Sequence, residues 1–209
     1  MPHNFAMVGE IFLVMLAIGV AYLLGSIPSA YLIGRWLKGL DIREAGDGRL
    51  GAAVTFRRVG MAGSVIVAVM DVGKGVVAVL IAETLGLPLA VVVGAGLAAV
   101  VGHNWSIFLQ FKGGKGALTT CGVLASLMFW QLLAALAVGG VVFAITRKTG
   151  FSTGVLFCFL ALLNLFTGSL IVLVITPILI AVPMVLKHIS MSKADVAVMA
   201  GVEGQSEKG

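Results

Sequence analysis

Residues 60–102 read GMAGSVIVAVMDVGKGVVAVLIAETLGLPLAVVVGAGLAAVVG, and the reading of this stretch decides the fold. Two continuous apolar runs flank Gly86-Leu87-Pro88, residue types that end one helix and start another. Neither run alternates as the strands of a barrel do, so sheets are all but excluded. Each run is long enough to cross a bilayer as a helix. The remainder of the chain is alike. Of its 209 residues, 60% are hydrophobic and 11% charged, against about 25% charged in a soluble domain. Mean hydropathy is +1.13. The expected class is all-α, a polytopic membrane protein with no room for a separate soluble domain.

The positions of the basic residues give the topology. Arg35, Lys38, Arg43, Arg49, Arg57 and Arg58 share one loop, and Lys112 and Lys115 a second. Arg147 and Lys148 form a third, while Lys187 and Lys193 lie near the C-terminus. If all four groups are cytoplasmic, each interval between them crosses the membrane an even number of times. The interval 60–102 gives two crossings. The interval from Gly116 to Thr146, about 31 residues, is read as two short helices turning at Trp130-Gln131. Phe151–Leu186 breaks near Thr167-Gly168-Ser169 and gives two more. A single span precedes Arg35, interrupted at Gly25, Ser26 and Pro28.

The expectation is therefore seven transmembrane helices, some short or broken, in a membrane domain of residues 1–189. The N-terminus is placed outside, and residues 190–209 form a cytoplasmic tail without a hydrophobic run. The span Gly9–Leu24 has no basic segment before it and is read as retained, not as a cleaved signal. The net charge of +5 lies beside apolar spans and reports orientation, so no nucleic-acid partner is expected. Cys121 and Cys158 fall in apolar segments, and His3, His103 and His188 lack metal-ligand spacing. No metal and no cofactor are expected.

Against this background Phe111-Lys112-Gly113-Gly114-Lys115-Gly116 stands out. Glycines let backbone approach a ligand and turn successive amides toward an anion, and lysine adds a point charge. The run reads as a phosphate site at the membrane surface; the plainer alternative is a basic loop that only sets topology. The earlier loop contains Arg43, Gly46, Asp47, Gly48, Arg49 and Gly51, followed by Arg57. Its G-x-G-x-x-G spacing lacks the strand and helix of a dinucleotide fold. What remains is a glycine-rich loop with arginines suited to phosphate, or a solvated cytoplasmic loop.

Asp71 and Lys74 lie three residues apart on one helix face, about 16 Å along a helix beginning near Gly60. At that depth they read as an internal structural charge pair. His103 ends the next helix just ahead of the glycine-lysine run, as a base, a phosphate donor or an orienting group. His188, beside Lys187, is open to a site role or to capping the last helix.

Taken together these residues resemble the PlsY family of bacterial acyl-phosphate:glycerol-3-phosphate acyltransferases. The likeness runs over nearly the whole chain. It includes Gly25-Ser26-Ile27-Pro28, Gly39-Leu40-Asp41-Ile42-Arg43, Asp71-Val72-Gly73-Lys74-Gly75, Gly102-His103, Phe111–Gly116 and Lys187-His188. Where the family has Gly-Ser-Gly-Asn-x-Gly-Ala-Thr-Asn, this chain has Gly46-Asp47-Gly48-Arg49-Leu50-Gly51-Ala52-Ala53-Val54. The family's final asparagine is Met191 here.

The resemblance implies transfer of a fatty acyl group from acyl phosphate to glycerol 3-phosphate, giving lysophosphatidic acid and phosphate. It places the chain in the bacterial plasma membrane, with its site on the cytoplasmic face. Lys115, His103 and Arg57 are the implied catalytic residues. Lys112, Gly113, Gly114, Gly116, Arg43, Asp47, Gly48, Arg49, His188 and Ser26 are the implied substrate-binding residues. Acyl phosphate, glycerol 3-phosphate and membrane lipid are the implied partners. The local His-x-x-x-x-Asp pattern of acyl-CoA-dependent acyltransferases is absent, which favours an acyl-phosphate donor. Two alternatives remain at this stage: a paralogue with another phosphorylated acceptor or no turnover, motivated by Asp47 and Arg49, and a phosphometabolite transporter, motivated by broken helices and intramembrane charge.

Overall fold

The computed structural model describes residues 2–44 and 50–167, together with a few helical positions between 180 and 189. Among them there is no strand. Seven helices follow in order: α1 Pro2–Ser26, α2 Ser29–Lys38, α3 Ala52–Arg58, α4 Met61–Thr84, α5 Leu89–Asn104, α6 Ala117–Thr146 and α7 Thr149–Phe166. Four stretches are long and apolar enough to span a bilayer: Met7–Lys38, Met61–Thr84, Leu89–Leu109 and Ala117–Thr146. The protein is all-α and an integral membrane protein. The tail at 190–209 lies outside the described residues, as does the crossing assigned after Thr167 apart from the helical positions at 180–182 and 185–186.

Local chemistry sets the helix ends. Pro28 has no amide to donate and disfavours helical backbone at Ile27, so α1 and α2 separate there. Gly39, at φ 64°, closes α2 by donating to the Arg35 carbonyl, and Leu40 donates to Gly34. Between α4 and α5 the chain turns at Gly86, φ 67°, with Pro88 just before the next helix.

Because lipid is as apolar as leucine, small residues rather than bulky ones pull the helices together. Gly25 of α1 lies against the Ala99 carbonyl of α5, and Gly102 of α5 lies against the Tyr22 carbonyl of α1. The same reciprocal contact joins α4 to α6, with Gly75 on Thr119 and Gly122 on Val72. The buried core is accordingly dominated by Ala21, Ala95, Ala99, Val79 and Val123. Phe12, Met15, Val69, Ile145 and Phe166 stand on the outside, where lipid would meet them.

One segment breaks slightly earlier than the sequence reading puts it. Residues expected to make two short helices turning at Trp130-Gln131 do form two helical stretches within the 30-residue α6, and the break between them falls at Met128, with φ −154° and ψ 61°. No glycine or proline lies between Gly122 and Gly139, so no backbone-breaking residue fixes its place. A straight helix of that length would run about 45 Å, well beyond the roughly 30 Å hydrocarbon core. The break at Met128 lets the helix change direction.

Candidate active site

The α1–α2 break leaves carbonyls without helical partners, and α4 supplies the donor. The Lys74 ammonium donates to the Ile27 carbonyl at 2.9 Å and to Ser29 Oγ at 3.2 Å. It also pairs with Asp71 Oδ1 at 2.9 Å. Ser29, one residue past Pro28, donates its hydroxyl to the same carboxylate oxygen at 2.8 Å. Both charged side chains are deeply buried, 3% exposed for Asp71 and 6% for Lys74. Asp71 lies ten residues into α4, about 15 Å from its start. A buried charge survives there only because its partner and its hydrogen bonds are buried with it.

His103, in the last turn of α5, joins this group from the opposite side. Its Nδ1 stands 3.6 Å from Asp71 Oδ1. A carboxylate therefore faces this imidazole although no local His-x-x-x-x-Asp pattern exists: it comes from a different helix. The end of α5 is tied to α1 by the Tyr22 hydroxyl, which donates to the Trp105 carbonyl at 2.9 Å, and by the Ser106 hydroxyl, which donates to the Ser26 carbonyl.

The glycine-lysine run folds straight back onto α5. The amides of Gly113 and Gly114 donate to the carbonyls of Asn104 and His103, each at 3.1 Å. This corrects the expectation of an open amide nest for an anion. The last carbonyls of α5 need donors, and the loop supplies them. The glycines serve close approach instead. A side chain at Gly113 would strike the His103 carbonyl, and one at Gly114 would strike His103 Nε2 and the Leu50 carbonyl. Gln110 and Phe111 take positive φ, 52° and 62°, a conformation that costs non-glycine residues about 1 kcal/mol or more each.

These elements line a small cleft that opens to the surface. Of the residues singled out from sequence, Ser26, Asp71, Lys74, His103, Gly113 and Gly114 line it. Ser29, Ser106 and Tyr31 line it too, and nothing local in the sequence marks them. Ser26 is fully buried, and its hydroxyl has no hydrogen-bond partner among the described residues. Gly116, at φ 78°, packs against Asn104 behind the cleft wall. Lys112 and Arg57 are exposed and Lys115 is half-buried; none of the three is part of the lining.

Arg43 is exposed near the mouth, over the Tyr31 ring at 4.8 Å and paired with Asp41 at 2.6 Å. That guanidinium holds the Asp41 carboxyl below its ordinary range. Asp47, Gly48, Arg49 and His188 lie outside the described residues.

A sequence model of one family, described as Glycerol-3-phosphate acyltransferase, matches residues 15–194. The chain belongs to that family. A relative from Moorella thermoacetica, named glycerol-3-phosphate acyltransferase 2, is 50% identical over 128 residues, covering 59% of this chain and 66% of that protein. A glycerol-3-phosphate acyltransferase from Parasynechococcus marenigrum is 41% identical over 176 residues, covering 84% and 82%. The fold is similar to the crystal structure of PlsY (YgiH), described as an integral membrane glycerol 3-phosphate acyltransferase, in its glycerol 3-phosphate form. The TM-score is 0.74 at 29% identity, over 88% of this chain and 92% of that one. The lysophosphatidic acid form of the same acyltransferase matches equally well.

Proposed function

We infer that this acyltransferase moves a fatty acyl group from acyl phosphate to a hydroxyl of glycerol 3-phosphate, releasing lysophosphatidic acid and phosphate. One observation carries the reading: in a chain of this family, a broken helix, a buried ion pair, an imidazole and a two-glycine turn converge on a single polar cleft. PlsY having both a glycerol 3-phosphate form and a lysophosphatidic acid form supports the acceptor and the product.

The lining of the cleft divides the substrates: its polar side chains, among them Ser26, Ser29 and His103, suit a polar acceptor, and the fatty chain lies outside, against the apolar helices and the bilayer. Ser26 Oγ, without a hydrogen-bond partner among the described residues, offers a hydrogen bond to the acceptor. Lys112, Lys115, Arg43 and Arg57 supply positive charge for the two phosphoryl groups as they arrive. Lys115, one residue past the Gly114 wall, is assigned to the transferring group.

The chemistry needs positioning more than acid strength. The acceptor oxygen attacks the carbonyl carbon and forms the ester as the carbon–oxygen bond to phosphate breaks. The hydroxyl proton ends on a phosphate oxygen, and phosphate leaves as a stable anion. His103 Nε2, on the cleft side at Gly114, accepts a hydrogen bond from the acceptor hydroxyl and aims its lone pair. The site faces the cytoplasm, the N-terminus lies outside, and the membrane is the bacterial plasma membrane, following the positive-inside distribution.

Purified protein is incubated with palmitoyl phosphate and labelled glycerol 3-phosphate. Labelled lysophosphatidic acid is the expected product. A folded protein that binds glycerol 3-phosphate but forms none would refute the reading.

A further inference from the structure

Asp71 holds more partners than neutralising a lysine requires. Its Oδ1 takes the Lys74 ammonium and the Ser29 hydroxyl, at 2.9 and 2.8 Å, and stands 3.6 Å from His103 Nδ1. Lys74 is itself pinned by the Ile27 carbonyl. The group therefore joins the α1–α2 break, α4 and the end of α5, which are three walls of the same cleft. Simple neutralisation would need only the pair, and apolar residues of similar volume would avoid its desolvation cost altogether. What the extra contacts add is a carboxylate oxygen fixed in one place beside an imidazole.

We propose that Asp71 is the positioning residue for His103. Lys74 and Ser29 fix Asp71 Oδ1, that oxygen orients the imidazole from its Nδ1 side, and Nε2 is thereby held at the Gly114 wall to meet the acceptor hydroxyl. The imidazole is trapped between two constraints: Asp71 on one nitrogen and the bare backbone of Gly114 at the other. Neither alone sets both position and rotation. This rests on the acyl-transfer reading above, so the test includes a measurement independent of turnover.

Two variants are compared with wild type: Ser29→Ala, and Asp71→Asn combined with Lys74→Met, which removes both buried charges together. The measurements are kcat and KM for glycerol 3-phosphate, the melting temperature in detergent, and the NMR shifts of the His103 imidazole nitrogens, assigned with His103→Gln. In the paired variant, kcat should fall about tenfold or more while KM changes less than about threefold. Its melting temperature should stay near that of wild type, and the His103 shifts should move. Wild-type turnover in the paired variant, or unmoved His103 shifts, would overturn the proposal.

If the paired variant does not fold, Ser29→Ala decides, because it keeps both charges. Lower kcat with moved shifts supports positioning, and unchanged values of both refute it. If wild type itself forms no product, the acyl-transfer reading fails, and the shifts alone judge whether Asp71 orients His103.

Discussion

Gly114 passes so close to His103 that a Cβ placed on it would overlap the imidazole Nε2. The glycine is there for the histidine, not for the conformation of the loop. It brings the backbone of the glycine-lysine run to the Nε2–Cε1 edge of the ring, and the Leu50 carbonyl lies close to the same point.

Gly114→Ala follows directly. The added methyl group must displace either the imidazole or the backbone at Leu50. Turnover should fall about 100-fold, the scale of loss that accompanies a misplacement near 1 Å. Steady-state kinetics on protein that still elutes as a single species checks this, and an undiminished kcat would mean that His103 is not held as described.

Lys74→Met leaves the Asp71 carboxylate buried with its main counter-charge removed. The expected cost is about 3–5 kcal/mol of stability, read as a lower melting temperature in detergent. Adding Asp71→Asn should recover much of that loss. A single Lys74→Met variant as stable as wild type would show that the pair contributes no net stability.

Lys115→Ala tests the charge assigned to the transferring group. If the ammonium stabilises that group, the loss should be about 100-fold or more in kcat. Near-normal rates would remove Lys115 from the site.

Asp47→Ser with Arg49→Asn restores the hydroxyl and amide that the resembling family carries at these positions. A carboxylate at 47 repels an incoming phosphate unless a neighbouring arginine offsets it. The double substitution should raise kcat/KM for glycerol 3-phosphate, and a fall would mean that the loop is suited to a different acceptor.

What could be read from the sequence was what local chemistry decides. Pro28 and Gly86-Leu87-Pro88 announce helix breaks because each alters the backbone where it stands, and the structure breaks there. The spacing of Asp71 and Lys74 showed a shared face, since three residues is nearly one helical turn. The break expected at Trp130-Gln131 falls two residues earlier, at Met128, where no glycine or proline marks it. Met128 is buried and its sulfur meets Asn164 of α7 at 3.3 Å, a contact across helices that no window of sequence contains.

The candidate site shows the same division. Gly113 and Gly114 were visible as an unusual pair, but their role was misread, because nothing in the sequence says that α5 ends directly beneath them. Ser29 looked like an ordinary residue after a proline. Its partner lies 42 residues onward. No carboxylate lies within a few positions of His103, and the fold brings one to it from α4 instead.

The central claim is that acyl phosphate is the donor and glycerol 3-phosphate the acceptor. Its most direct test counts products: the purified protein receives palmitoyl phosphate, with and without glycerol 3-phosphate, and a parallel sample receives palmitoyl-CoA. The account predicts inorganic phosphate and lysophosphatidic acid in equal amounts, release that depends on the acceptor, and no product from the thioester. Phosphate released without acyl transfer, or product formed from palmitoyl-CoA alone, would contradict it.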